Sequence, residues 1–91
     1  MSRTIWKFQA PVQDDFDLNG PGPLNIIHIE PDGPTSLLIW AEVDTNEAPA
    51  ERHMRVVGTG NPIPDDATRH VGSVFAPPFV WHIYEAEETQ P

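Results

Sequence analysis

The sequence predicts a mainly β domain: a small antiparallel β-sandwich or partly open barrel of about six or seven strands, with at most one short helical turn. Three observations predict it. Eleven prolines and six glycines cut the 91 residues into short segments. No segment between them carries an apolar period of 3.6 over three turns, and a proline inside a helix costs about 3 kcal/mol. The remaining segments alternate apolar and polar residues, or run apolar briefly, between turn-forming residues.

Thr4 to Ala10 is the first expected strand, with Trp6, Phe8 and Ala10 on one face and Lys7 and Gln9 on the other. Asp15 to Leu18 follows, with Phe16 and Leu18 inward. Asn19-Gly20-Pro21-Gly22-Pro23 reads as a turn or extended loop. Leu24 to Glu30 and Ser36 to Asp44 form the clearest hairpin, around Pro31-Asp32-Gly33-Pro34-Thr35. The run Leu37-Leu38-Ile39-Trp40 marks a central strand covered on both faces, or a strand with one face closing an intersubunit contact. Thr45 to Ala50 reads as an exposed connection and Glu51 to Thr59 as the next strand, weakened by Gly58 and Gly60. Pro64 to Arg69 suits one helical turn, with acidic residues at its start and Arg69 at its end. Val71 to Phe75 and Phe79 to Ala86 form a second hairpin around Ala76-Pro77-Pro78. The domain is thus expected over residues 4–86, followed by an acidic tail over 87–91. Eight aromatics, Trp6, Phe8, Phe16, Trp40, Phe75, Phe79, Trp81 and Tyr84, are expected to supply much of the core.

The bulk composition excludes several function classes. With no cysteine there is no disulfide framework, thiolate nucleophile or Cys-based zinc site, and a reducing, cytoplasmic location is expected. No apolar run approaches the roughly 20 residues of a spanning helix, and the N-terminal stretch lacks the apolar core of a signal peptide. Fourteen acidic and five basic residues leave a formal charge of −9. That balance opposes direct nucleic-acid binding, which requires cations against phosphates, and opposes an anionic membrane surface. It is compatible with solubility, with a basic protein partner, or with mimicry of nucleic acid.

No chemical motif survives scrutiny of spacing. His28, His53, His70 and His82 form no close local ligand pair, so no metal site is expected. Gly58-Thr59-Gly60-Asn61-Pro62 lacks the Lys-Ser/Thr ending of a phosphate-binding loop. Gly58 and Gly60 are read instead as structural turn residues, permitting close backbone approach. Asp14, Asp15 and Asp17, or Asp65 and Asp66, lack the spacing of a calcium loop. Ser2, Ser36 and Ser73 stand in no nucleophile-elbow sequence. No catalytic residue and no cofactor is therefore expected. Trp6, Trp40 and Trp81 are core candidates and, alternatively, the candidate interaction residues, because tryptophan is enriched at binding hot spots.

Thr4-Ile5-Trp6-Lys7-Phe8, Met54-Arg55-Val56-Val57-Gly58-Thr59-Gly60-Asn61-Pro62-Ile63 and His70-Val71-Gly72-Ser73-Val74 occur in this order. Together they resemble a family of small uncharacterised proteins encoded by bacteriophages and prophages. The resemblance implies a phage or prophage origin and brings no catalytic or binding residue with it. The expected function is a non-enzymatic accessory protein that binds a host or phage protein and self-associates as a homo-oligomer. Two other functions are compatible with the sequence. One is a DNA-mimic inhibitor of a host nuclease or defence protein. The other is a small-ligand or enzymatic domain whose site forms only in the fold.

Overall fold

In the computed structural model, which describes residues 2–86, seven strands form two antiparallel sheets. They are β1 (Arg3–Pro11), β2 (Asp15–Pro21), β3 (Pro23–Pro31), β4 (Ser36–Asp44), β5 (Pro49–Gly58), β6 (Ala67–Ala76) and β7 (Phe79–Ala86). One sheet has the order β1-β4-β3 and the other β2-β5-β7-β6. The assembly is a sandwich, not a closed barrel, and its shortest dimension of 16 Å is that of two stacked sheets.

The two segments with apolar residues on both faces become interior strands, as does β5 between β2 and β7. β4 lies between β1 and β3, and β7 lies between β5 and β6. Along β4 the alternation is sharp: Leu37, Ile39, Ala41 and Val43 are fully buried, while Leu38, Trp40 and Glu42 are half-buried on the outer face. Opposite them, the second sheet contributes Phe16, Leu18, Met54, Val56, Val74 and Ile83. A smaller cluster of Leu24, Ala41 and Val43 closes one end.

Connections between the sheets are tied to one another. The β2–β3 turn and the β4–β5 connection both cross the sandwich. Gly22 N–H donates to the Ala48 carbonyl at 3.1 Å, and Asp44 N–H donates to the Gly22 carbonyl at 2.7 Å. The Asp44 side chain is itself buried, where its Oδ1 accepts from the backbone N–H groups of Ser2 and Asn46 at 3.1 and 3.0 Å. Arg52, on the inner face of β5, donates across the gap to the Pro23 carbonyl at 2.8 Å. β3 then runs to the far side, where Ile29 packs over Gly72 of β6 so closely that an added Cβ would lie 3.4 Å from it.

Several boundaries differ from the sequence reading. β2 runs on through Asn19 and Gly20 to Pro21, because these pair with Glu51, Ala50 and Pro49 of β5. For the same reason Pro49 and Ala50 belong to β5, not to the connection before it. The expected helical turn over Pro64 to Arg69 is absent. Ala67 N–H donates to the Pro64 carbonyl at 3.0 Å, closing a tight turn, and Ala67 then opens β6 opposite Ala86. Register shifts on either side of Thr68 and Val71 let β6 begin four residues earlier than its hydrophobic pattern suggests. A further shift falls at Leu24, whose backbone takes a left-handed φ of 54°. That bulge turns the Leu24 side chain into the core, where it is 1% exposed. The acidic tail over 87–91 lies outside the described residues.

Because Ile39 and Ile83 face each other's sheets in a core this thin, Ile39→Ala and Ile83→Ala are each expected to lower unfolding free energy by about 2–5 kcal/mol. Lys7→Ala, on an exposed position, should stay within about 0.5 kcal/mol of the parent in the same urea titration.

Candidate functional site

The outer face of the four-stranded sheet carries most of the polar chemistry. Cross-strand register aligns Asp15, Arg55, Tyr84 and His70 in one row, and Val57, His82 and Ser73 in the next. The strands therefore gather residues from four distant segments.

In the second row a hydrogen-bonded chain forms. Thr59 Oγ1 lies 2.9 Å from His82 Nε2, His82 Nδ1 lies 2.8 Å from Ser73 Oγ, and Ser73 Oγ lies 2.9 Å from His70 Nε2. The His70 ring also meets Tyr84 edge-on, with centroids 5.2 Å apart. Ser73 is thus bracketed by two imidazoles, which its sequence context does not suggest. A nucleophilic serine requires a base that is itself oriented by a third group, a carboxylate in the familiar triad. Here the far nitrogen of His82 meets the hydroxyl of Thr59 instead. The strip lies exposed on a sheet face, and its geometry supports hydrogen bonding to a surface more directly than acyl transfer.

Beside it, Arg55 joins β5 to the loop before β6. Its Nη2 and Nε donate to Asp66 Oδ2 and Oδ1 at 2.7 and 3.2 Å, and its Nη1 donates to Asp15 at 3.1 Å. The bidentate hydrogen bond from Arg55 holds the Asp66 carboxyl below its ordinary value against a smaller opposing effect of desolvation, and the same bond raises Arg55.

At the other end of the face, His53 stands between two carboxylates. Its Nδ1 lies 2.6 Å from Asp17 Oδ1 and its Nε2 lies 3.3 Å from Glu51 Oε1. These three residues offer ligand atoms within 4.8 Å of one another. Glu51 and His53 share one strand face at i and i+2, a spacing visible in the sequence, and Asp17 joins them only through the β2–β5 pairing. The contacts make this an exposed cluster of one imidazole and two carboxylates, and such groups are common on acidic surfaces without a metal.

The three tryptophans are not brought together. Trp81 faces inward on β7 against the main core, with its indole Nε1 buried and without an acceptor among the described residues. Trp40 is half-buried on the outer face of β4, 5.3 Å from the His28 ring. Trp6 lies on the edge strand β1 and is 41% exposed, 6.3 Å from Phe8. Gly58 sits under Trp81: an added Cβ would lie 3.2 Å from its ring and 3.0 Å from Asn61 Nδ2. Gly60 takes a φ of 91°, the left-handed region that favours glycine.

The expectation that the aromatics supply much of the core fails: of the eight only Phe16 is buried in it, Phe8 and Trp81 pack against it partly buried, and the exposure is greatest at the β6–β7 turn. Phe75 is 66% exposed and Phe79 is 52% exposed. Phe75 pairs with Val80 on the outer face, whereas Phe79 stacks on Trp81 at 5.1 Å beyond the last covered layer. Phe75, Ala76 and Pro77 then meet Pro31 at the end of β3 and Gly33 and Pro34 of the β3–β4 loop around a shallow groove of about 410 Å³. Alternation marks both phenylalanines as strand residues but does not reveal that Phe75 takes the uncovered outer face or that Phe79, on the inner face, is left exposed.

The Arg55–Asp66 pair gives stability a defined pH dependence. A carboxyl lowered in the folded state contributes stability above its ordinary value of 3.8 and loses it as pH falls through the lower folded value. Asp66→Asn should therefore lower the urea midpoint at neutral pH, with the difference from the parent shrinking to nothing as the solution is acidified.

Neither the curated proteins nor the solved structures include a match to this chain. A family model described as a domain of unknown function, DUF7352, matches residues 1–91, and the chain belongs to that family.

Proposed function

We propose that the protein is a non-enzymatic accessory protein that acts by binding another protein and that associates with itself. The observation that carries this reading is the exposed apolar end, where Phe75 lines a groove with Pro31, Pro34 and Pro77 and Phe79 is exposed on the opposite face of the same hairpin. Aromatic side chains held on a short hairpin lose little conformational freedom on binding, which suits them to anchor a partner. The sequence resemblance to bacteriophage proteins supports a phage lineage and a host or phage protein as the partner, met in the host cytoplasm.

The polar strip does not favour an enzymatic reading, because the serine's neighbouring imidazole is oriented by a hydroxyl and not by a carboxylate. Mimicry of DNA calls for an uninterrupted line of carboxylates. Here Asp15 and Asp66 meet Arg55, Glu42 meets Arg3, and Glu85 lies 3.9 Å from Arg52. Cations interleaved in this way break up the acidic surface.

The test is affinity capture from host lysate with the parent chain and with a Phe75→Ser, Phe79→Ser variant. The parent should retain a defined protein that the variant loses, while both give the same circular dichroism and urea midpoint. Identical capture by the two would show that the apolar end is not the binding surface.

A further inference from the structure

We propose that the protein dimerises through the free edge of β1, two copies pairing antiparallel about a two-fold axis at Trp6. This locates the self-association in the reading above and rests on it. The product is one continuous sheet in the order β3-β4-β1 followed by β1-β4-β3 of the second copy.

The sandwich has four edge strands, and three are protected in recognisable ways. β3 and β6 each contain two register shifts, and they lean on one another where Ile29 covers Gly72. β2 is the shortest strand, turns Asp15 and Asp17 outward, and ends in Gly20-Pro21. β1 has no register shift and no outward carboxylate, and Lys7 is the one charged residue at its centre. Its nine residues pair with β4 in unbroken register from Arg3↔Asp44 to Pro11↔Ser36. Arg3, Thr4, Ile5, Trp6 and Lys7 are exposed one after another, so both faces of the strand stand clear of the second sheet. Such an edge presents alternate N–H and C=O groups to an incoming extended strand.

Charge decides what that strand is. The protein carries −9 overall, yet β1 contains Arg3 and Lys7 and no carboxylate. Two copies can therefore approach along β1 without setting acid against acid. A two-fold axis perpendicular to the sheet must pass through a residue if the outer faces are to stay on one side. Centring on Ile5 sets Arg3 against Lys7, and centring on Lys7 sets it against itself, both unfavourable like-charge pairs. Centring on Phe8 brings Pro11, which has no N–H, into the pairing and leaves Arg3 beyond it.

Centring on Trp6 avoids all three faults. Lys7 then faces the second copy's Ile5, Arg3 faces its Gln9, and Thr4 faces its Phe8. The acids also fall into place. Gln9 Nε2 already donates to Asp32 at 3.0 Å, so the incoming Arg3 arrives beside that carboxylate. Ile5 lies across from Glu42 on β4, so the incoming Lys7 reaches toward Glu42 over the same outer face. The exposed side chains of Ile5 and Trp6 are covered in the same step.

The absence of native cysteine makes the register directly testable. Single-cysteine chains Ile5→Cys and Lys7→Cys are prepared at exposed positions, leaving Trp6 in place, together with Trp6→Cys. The parent chain should sediment as a dimer at high micromolar concentration. Under mild oxidation a mixture of Ile5→Cys and Lys7→Cys should cross-link, and Trp6→Cys should cross-link with itself. Ile5→Cys alone should not, because each Ile5 faces the other copy's Lys7 and the two copies of residue 5, offset by two residues along the paired strands, lie beyond the reach of a disulfide. A dimer without this selectivity would overturn the β1 interface and leave self-association standing. A strict monomer at that concentration would overturn both.

Discussion

The inner face of β4 is the constraint on which the rest of the structure depends. Leu37, Ile39, Ala41 and Val43 are fully excluded from water in a chain short enough that its core is one side chain deep on each side. Burying that row requires a second sheet, and the second sheet requires β2, β5 and β7 to turn Phe16, Met54 and Ile83 toward it. The outer half of β4 is then left half-covered by its neighbours alone. A three-stranded sheet facing a four-stranded one cannot match it at every margin, and the uncovered margins are where the molecule has surface to offer: β1 on one side and the β6–β7 turn at one end.

Most of the architecture was legible in the sequence because it is written in alternation. β4 and β7 have the boundaries their patterns predict, Ser36–Asp44 and Phe79–Ala86. What alternation does not carry is pairing across strands. Asn19 and Gly20 look like loop because neither favours a strand, yet hydrogen bonds to β5 hold them extended. The acidic start and basic end of Pro64 to Arg69 suit a helical turn, but pairing of Ala67 with Ala86 prevails. Leu24 is visible as a buried residue, whereas the bulge that buries it is not.

The same distinction explains the candidate site. Residue spacing separates His70, Ser73 and His82 by strand boundaries, and only the antiparallel register of β6 and β7, with its shift near Val71, brings the two imidazoles to one hydroxyl. Sequence reading finds no motif there, because the residues are not local. It also assigns Phe75 and Phe79 to the interior by residue type. Phe79 is exposed although it has the inward parity of Trp81 and Ile83, and Phe75 is exposed because it lies on the outer face, which no second sheet covers. Function in this protein is accordingly argued from margins: polar groups lie along one sheet face, apolar groups gather at one end, and backbone groups remain open along one edge.

The central claim is that both sheets share one cooperative core organised on β4. Native-state amide hydrogen exchange tests it most directly, because a segment's exchange free energy reports whether it opens alone or with the whole domain. The account predicts that the amides of β4 and those of β5 and β7 exchange at the same free energy, equal to that of global unfolding. Two separate classes, with the β1-β4-β3 sheet opening well below the global value, would contradict it.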